Sequence, residues 1–89
     1  MKHISIFVSG KVQGVYYRQS TLKTARRLCV NGFVRNAQNG NVYIEAEGTE
    51  EQLNKLIEWC KTGPPHAVVV EAKVMEGVFK NFACFTITR

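Results

Sequence analysis

Residues 10–18 read GKVQGVYYR, a short polar loop with two glycines that ends on an arginine. The residues before it, HISIFVS, alternate like a strand, and those after it, QSTLKTARRLC, repeat like a helix. A loop feeding a helix N-terminus offers unpaired backbone N–H groups, backed by the positive end of the helix dipole. Gly10 and Gly14 let that backbone curl and approach a ligand without a Cβ in the way. Arg18 falls in the first helical turn, where a cation is unfavourable for the helix itself. Such a charge makes best sense where an anion neutralises it, and a guanidinium offers a phosphate two parallel donors. On spacing alone, the same residues would also serve as a glycine-containing turn beside a surface arginine. The loop is not a Walker motif, because no Gly-Lys-Ser/Thr follows.

A second group, GFVRNAQNGNV, spans residues 32–42. Asn36 sits where a strand gives way to a hairpin turn, and alone it reads as a turn-stabilising residue. Cys29 and Arg35 match the C-x5-R spacing of cysteine phosphatases, with Gly32 at the fourth place. That chemistry needs a phosphate cradle running from a strand into a helix. Here Cys29 ends a helix, where the dipole disfavours a thiolate, and Phe33-Val34 enters a strand. Cys29 is expected to be a small core residue.

The elements that must hold these residues follow from periodicity. Residues 3–9 form a first strand with Ile4, Ile6 and Val8 on one face. From 17 to 29, Leu22, Ala25, Leu28 and Cys29 line one side of a helix that Asn31-Gly32 ends. FVRN and NVYIEAE form a hairpin around residues 37–40, marked by Asn39-Gly40. Thr49 caps a second helix, with Gln52 as its capping-box partner. Leu53, Leu56, Ile57 and Cys60 make its core stripe, and Gly63-Pro64-Pro65 stops it. Residues 67–75 form a strand with Val68, Val70, Ala72 and Val74 on one face. A last strand covers about 82–88, with Phe85 and Ile87 inward. The order β-α-β-β-α-β-β is the split βαβ arrangement. The expected fold is a ferredoxin-like α/β sandwich with an additional C-terminal strand, two helices covering one face of a mainly antiparallel sheet. The whole chain, 1–89, is expected to be a single domain.

Composition narrows the chemistry. Of 89 residues, 45% are hydrophobic and 21% charged, as in an ordinary globular domain. No apolar run approaches the ~18 residues that span a bilayer, and the alternating N-terminus reads as a strand rather than a signal peptide. The net charge of +5 favours anionic partners, but the basic residues are dispersed. Cys29, Cys60 and Cys84 form no CxxC pair, which suggests a reducing, cytoplasmic setting. The chain has no aspartate and only two histidines, so metal-dependent and aspartyl-phosphate chemistries are poorly provided for. An RNA-binding module of this fold would carry aromatics in a run such as K/R-G-F/Y-G/A-F-V-x-F/Y. No such run exists, and Phe7 or Tyr43 alone would not make a stacking platform.

Taken together, GKVQGVYYR and GFVRNAQNGNV, with a helix between them, resemble the paired motifs of the acylphosphatase family. The likeness extends through EGTEEQLNKLIEWCKTGPP to the terminal FTI. It implies hydrolysis of a carboxyl-phosphate bond to a carboxylate and inorganic phosphate, with no cofactor and no metal. It assigns phosphate binding to Arg18 and to a loop of Lys11, Val12, Gln13, Gly14, Val15, Tyr16 and Tyr17. It gives Asn36 the task of orienting the attacking water. Tyr16-Tyr17 stands where Phe or Gly followed by Phe is more usual, and Phe33 replaces a commoner Trp or Tyr. The implied partners are a small acyl phosphate and its product phosphate, with no nucleic acid and no membrane, for a cytoplasmic monomer.

Overall fold

A computed structural model describes residues 1–88. The elements run β1 (Lys2–Lys11), α1 (Tyr17–Arg27), β2 (Asn31–Asn36), a 3-10 turn (Gln38–Gly40), β3 (Val42–Gly48), α2 (Glu50–Thr62), β4 (Val68–Gly77) and β5 (Phe85–Ile87). They form one five-stranded sheet in the order β4-β1-β3-β2-β5. The β1–β3, β1–β4 and β2–β3 pairs are antiparallel, and β5 adds to β2 in parallel. This is the expected ferredoxin-like sandwich, and the added strand takes the edge beyond β2.

Alternation explains the layering. Ile4, Ile6 and Val8 of β1, Val34 of β2 and Val42, Ile44 and Ala46 of β3 are buried in one core with Ala25 of α1 and Leu53, Leu56 and Cys60 of α2. The capping box opens α2 as its sequence requires. Thr49 Oγ1 accepts from the Gln52 N–H at 3.2 Å, and Gln52 Oε1 accepts from the Thr49 N–H at 2.9 Å.

Five expectations need correction. Helix α1 stops at Arg27, before Asn31-Gly32, which instead begin β2. The stop is a Schellman motif: the Val30 N–H donates to the Ala25 carbonyl (2.9 Å) and the Cys29 N–H to that of Arg26 (3.1 Å). Cys29 is therefore the left-handed residue, at φ 61°, and is exposed rather than part of the core. In β4 the inward alternation breaks at a bulge. Ser9 pairs with Glu71 but Gly10 pairs with Val69, so Val70 has no partner. Val69 and Ala72 pack on the core, while Val68 and Val70 are exposed. The bulge also explains Gly10, whose missing Cβ would collide with the Val68 carbonyl. Its close approach is to a neighbouring strand, not to a ligand. Finally, the last strand begins only at Phe85.

The segment before β5 is tied through Lys80 and Phe82 to a buried polar knot on the sheet face away from the helices. His3 Nδ1 lies 2.7 Å from Glu47 Oε2, and its Nε2 lies 3.2 Å from Glu45 Oε1. Glu47 also accepts the backbone N–H groups of Lys80 and Phe82, fastening the segment that leads into β5. Burial pushes the Glu47 pKa up, but the Lys80 N–H, His3 and the Phe82 N–H outweigh it and hold it below its ordinary 4.5. A depressed carboxylate pKa stabilises the fold above the unfolded value and loses that contribution as pH falls through the folded one. Glu47→Gln should therefore lower Tm at pH 7, by about 5–10 °C for a loss of ~1–2 kcal/mol. The gap to wild type should close as both proteins are melted at successively lower pH below 4.5. A gap independent of pH would show that the charge of Glu47 is not what stabilises.

Candidate active site

The loop between β1 and α1 is built on three apolar pegs. Val12, Val15 and Tyr17 are 1%, 8% and 1% exposed, so the chain is pinned at every second or third residue. Tyr17 is the deepest peg. Its hydroxyl donates to the Cys60 carbonyl at 2.9 Å, and its ring lies 5.3 Å from that of Trp59, which ties the start of α1 to α2. Burial pushes the Tyr17 phenol far above its usual range, so it stays neutral. Between the pegs the backbone turns through left-handed conformations at Gly14 (φ 72°) and Tyr16 (φ 63°). Nothing lies within 4 Å of where a Gly14 Cβ would sit, so the requirement for glycine there is conformational rather than steric.

Tyr16 is the N-cap of α1 and makes no side-chain capping bond. The first intrahelical bond runs from the Ser20 N–H to the Tyr16 carbonyl at 3.0 Å, which leaves the preceding amides of the turn without intrahelical acceptors. The first turn contains no acidic residue, and Arg18 has no carboxylate within ion-pair distance among the described residues. A cation and free N–H groups thus share one end of one helix.

Gln13 fixes this loop against the hairpin. Its Nε2 donates to the Ala37 carbonyl at 3.0 Å and to the Asn41 carbonyl at 2.8 Å, the two sides of the β2–β3 turn. Asn36, the last residue of β2, is thereby held beside the loop. Its Oδ1 is buried and accepts no hydrogen bond among the described residues. The turn itself uses Asn39 and Gly40 at positive φ, as the Asn-Gly pair predicts.

These parts enclose a cleft of about 360 Å³. Val12, Gln13, Gly14, Tyr16 and Tyr17 line it from the loop and its helical junction, Arg18 and Gln19 from the first turn of α1, and Asn36 from β2. Seven of the nine residues singled out in the sequence therefore meet at one place. Lys11 closes β1, and Val15 faces the core; neither lines the cleft. None of the three cysteines lines it either. Cys60 is buried, and desolvation pushes its thiol up to about 12, the reverse of a nucleophile's requirement. The described residues hold no group of three or more His, Cys, Asp or Glu side chains that could ligate a metal.

Comparison with known proteins agrees with this geometry. The sequence profile of the acylphosphatase family matches residues 4–87. The chain belongs to the acylphosphatase family. It is 47% identical over 86 residues to an acylphosphatase of Syntrophus aciditrophicus, covering 92% of this chain and 90% of that one. It is 55% identical over 71 residues to an acylphosphatase of Marinobacter nauticus, covering 80% and 77%. The crystal structure of acylphosphatase from Bacillus subtilis superposes with a TM-score of 0.97 at 33% identity, over 100% of both chains.

Two features of this acylphosphatase-family cleft escape sequence reasoning. Gln19 is legible only as the residue after Arg18 in an exposed first turn. Gln13 carries no local signal for its partners, which lie 24 and 28 residues away. Gln13→Ala should free the loop from the hairpin and lower kcat/KM about tenfold, the scale of one lost positioning contact of ~1.4 kcal/mol. Tm should fall by only a few degrees, since the three pegs remain. Unchanged kcat/KM in a folded variant would show that the pegs alone position the loop.

Proposed function

We propose that the chain is an acylphosphatase, hydrolysing a small acyl phosphate to a carboxylate and inorganic phosphate, and that Arg18 and Asn36 carry the reaction. Water attacks phosphorus, the bond between phosphorus and the acyl oxygen breaks, and the carboxylate leaves with the bonding pair. A carboxylate is a weak base and needs little protonation on departure. No histidine or aspartate acid is therefore required, which suits a chain without aspartate. What remains is to hold the phosphoryl group, stabilise its charge and aim the water in line. In this reading the Arg18 guanidinium and the amides of residues 12–17 hold the phosphoryl oxygens, and the Asn36 side chain orients the water.

The observation that carries the reading is Asn36, which lines the cleft together with Arg18 and whose buried Oδ1 accepts no hydrogen bond among the described residues. A buried acceptor left unpaired costs ~1–3 kcal/mol. A nucleophilic water donating to it would satisfy the acceptor and be oriented by it. Arginine, backbone amides and one side-chain amide suffice for this chemistry, so the reading calls for no metal and no cofactor. The same reading takes residues 1–89 as one domain, working as a cytoplasmic monomer without nucleic-acid or membrane partners. Three free cysteines support the reducing setting.

Phosphate release from benzoyl phosphate or acetyl phosphate, measured against spontaneous hydrolysis, tests the activity. Arg18→Lys should lose nearly as much kcat/KM as Arg18→Ala, because the phosphoryl group needs a planar two-donor fork rather than a point charge. A lysine variant that kept most of its kcat/KM would remove the bidentate role.

Asn36→Ala separates binding from chemistry. Inhibition by inorganic phosphate should change little while kcat falls about a hundredfold or more, the size of effect seen when one positioning group is lost. If Asn36 merely stabilised the turn, truncation would lower Tm by an amount worth ~1 kcal/mol and leave turnover per folded molecule unchanged.

A further inference from the structure

We propose that the Tyr16 ring forms the acyl-side wall of the cleft and makes this enzyme favour acyl phosphates with an aromatic or broad apolar acyl group. The inference rests on the acylphosphatase reading of the cleft and assigns the half of the substrate which that reading leaves open.

The cleft lining divides by chemistry. Arg18, Gln13, Gln19 and Asn36 present polar groups, and Gly14 presents only backbone. Val12 and Tyr17 are each 1% exposed and offer a ligand almost no surface. Tyr16 is the remaining lining residue and is 77% exposed. Among the described residues its ring joins no aromatic pair and its hydroxyl no hydrogen bond, so neither packing nor a polar contact explains the residue.

Its backbone makes the choice of residue more telling. Tyr16 sits at φ 63°, ψ 23°, where an L-residue with a bulky side chain is strained. The turn needs a left-handed residue here, because it sends Tyr17 inward to the Cys60 carbonyl. Glycine or asparagine would make that turn at lower cost. A tyrosine held in a strained backbone conformation, exposed and among the residues that line the cleft is explained by what its ring does for a ligand. A ring face is apolar and quadrupolar, so it suits a flat aromatic or broad apolar group better than a methyl.

Steady-state kinetics on benzoyl phosphate and acetyl phosphate, corrected for spontaneous hydrolysis, test the assignment in wild type, Tyr16→Phe and Tyr16→Gly. Glycine accepts the native φ, so this variant should fold, with its melt as the control. The benzoyl-to-acetyl ratio of kcat/KM should fall about tenfold in Tyr16→Gly, the scale of one lost aromatic contact. It should stay within about twofold of wild type in Tyr16→Phe, which keeps the ring. An unchanged ratio in Tyr16→Gly would overturn the proposal. So would a parallel fall on both substrates, since Tyr16 would then serve loop geometry common to any acyl phosphate. A wild type that hydrolyses neither substrate would instead sink the acylphosphatase reading on which the proposal stands.

Discussion

The Gln13 side chain spans the gap between a loop and a hairpin turn that the sequence separates by more than twenty residues. Its Nε2 donates to the Ala37 and Asn41 carbonyls and sets the distance between the helix-end amides and Asn36. Catalysis by positioning tolerates little slack, and a displacement of ~1 Å can cost about a hundredfold. Neither partner could hold that separation alone. The loop has no ladder of its own, and the turn rests on the Ala37–Asn41 and Asn41–Gln38 backbone bonds. The rest of the fold makes the tie rigid. Strand β1 enters the loop from the middle of the sheet, paired on both sides, and Tyr17 locks the exit to α2.

Electrostatics converge on the same end of α1. Helices ordinarily carry acids in the first turn and bases in the last. Helix α1 has Arg26 and Arg27 in its last turn, as expected, but no acid in its first turn and Arg18 there instead. Helix α2 obeys the rule at both ends, with Glu50 and Glu51 at the start and Lys61 at the finish. The contrast within one chain separates a helix whose end charges suit its dipole from one whose N-terminus carries a cation with no carboxylate partner among the described residues. The chain has no aspartate, Glu45 and Glu47 are engaged on the opposite face of the sheet, and among the described residues no carboxylate pairs with Arg18.

Much of this architecture is legible from periodicity and punctuation. The α2 stripe, the Thr49–Gln52 box and the Asn39-Gly40 turn are local patterns with local causes, and each appears where its residues require. Seven of the nine candidate residues meet in one cleft because motif spacing encodes which element each one ends. What could not be read is non-local or conformational. Cysteine gives no hint of a left-handed helix stop, since the Schellman bonds at Cys29 depend on where the chain turns next into β2. Three valines in a row conceal the bulge, because alternation cannot show which one the partner strand will skip. Phe82 carries a strand-like pattern, yet its N–H is drawn off to Glu47 before β5 begins.

Cys29 and the β4 bulge break local rules elsewhere in the fold, but three other irregularities fall together. A left-handed tyrosine, an unpaired buried carbonyl and a cation on the wrong end of a helix all border one cleft. Away from it, buried polar groups are generously satisfied: Glu47 alone accepts from His3, Lys80 and Phe82. A domain of this size has only a small margin of stability, so strain of this kind persists only where surrounding structure enforces it. The enforcing structure can be named. The Tyr17 peg compels the turn at Tyr16, the Gln13 tie keeps Asn36 against the loop, and the sheet behind both is closed by the β4 bulge over Gly10. Each of the three irregular features would be relaxed at some gain in local comfort, and each belongs to a residue on the cleft lining. Their coincidence is therefore a stronger pointer to chemistry than any one of them, because a single irregularity can be an accident of packing and three around one volume share a cause.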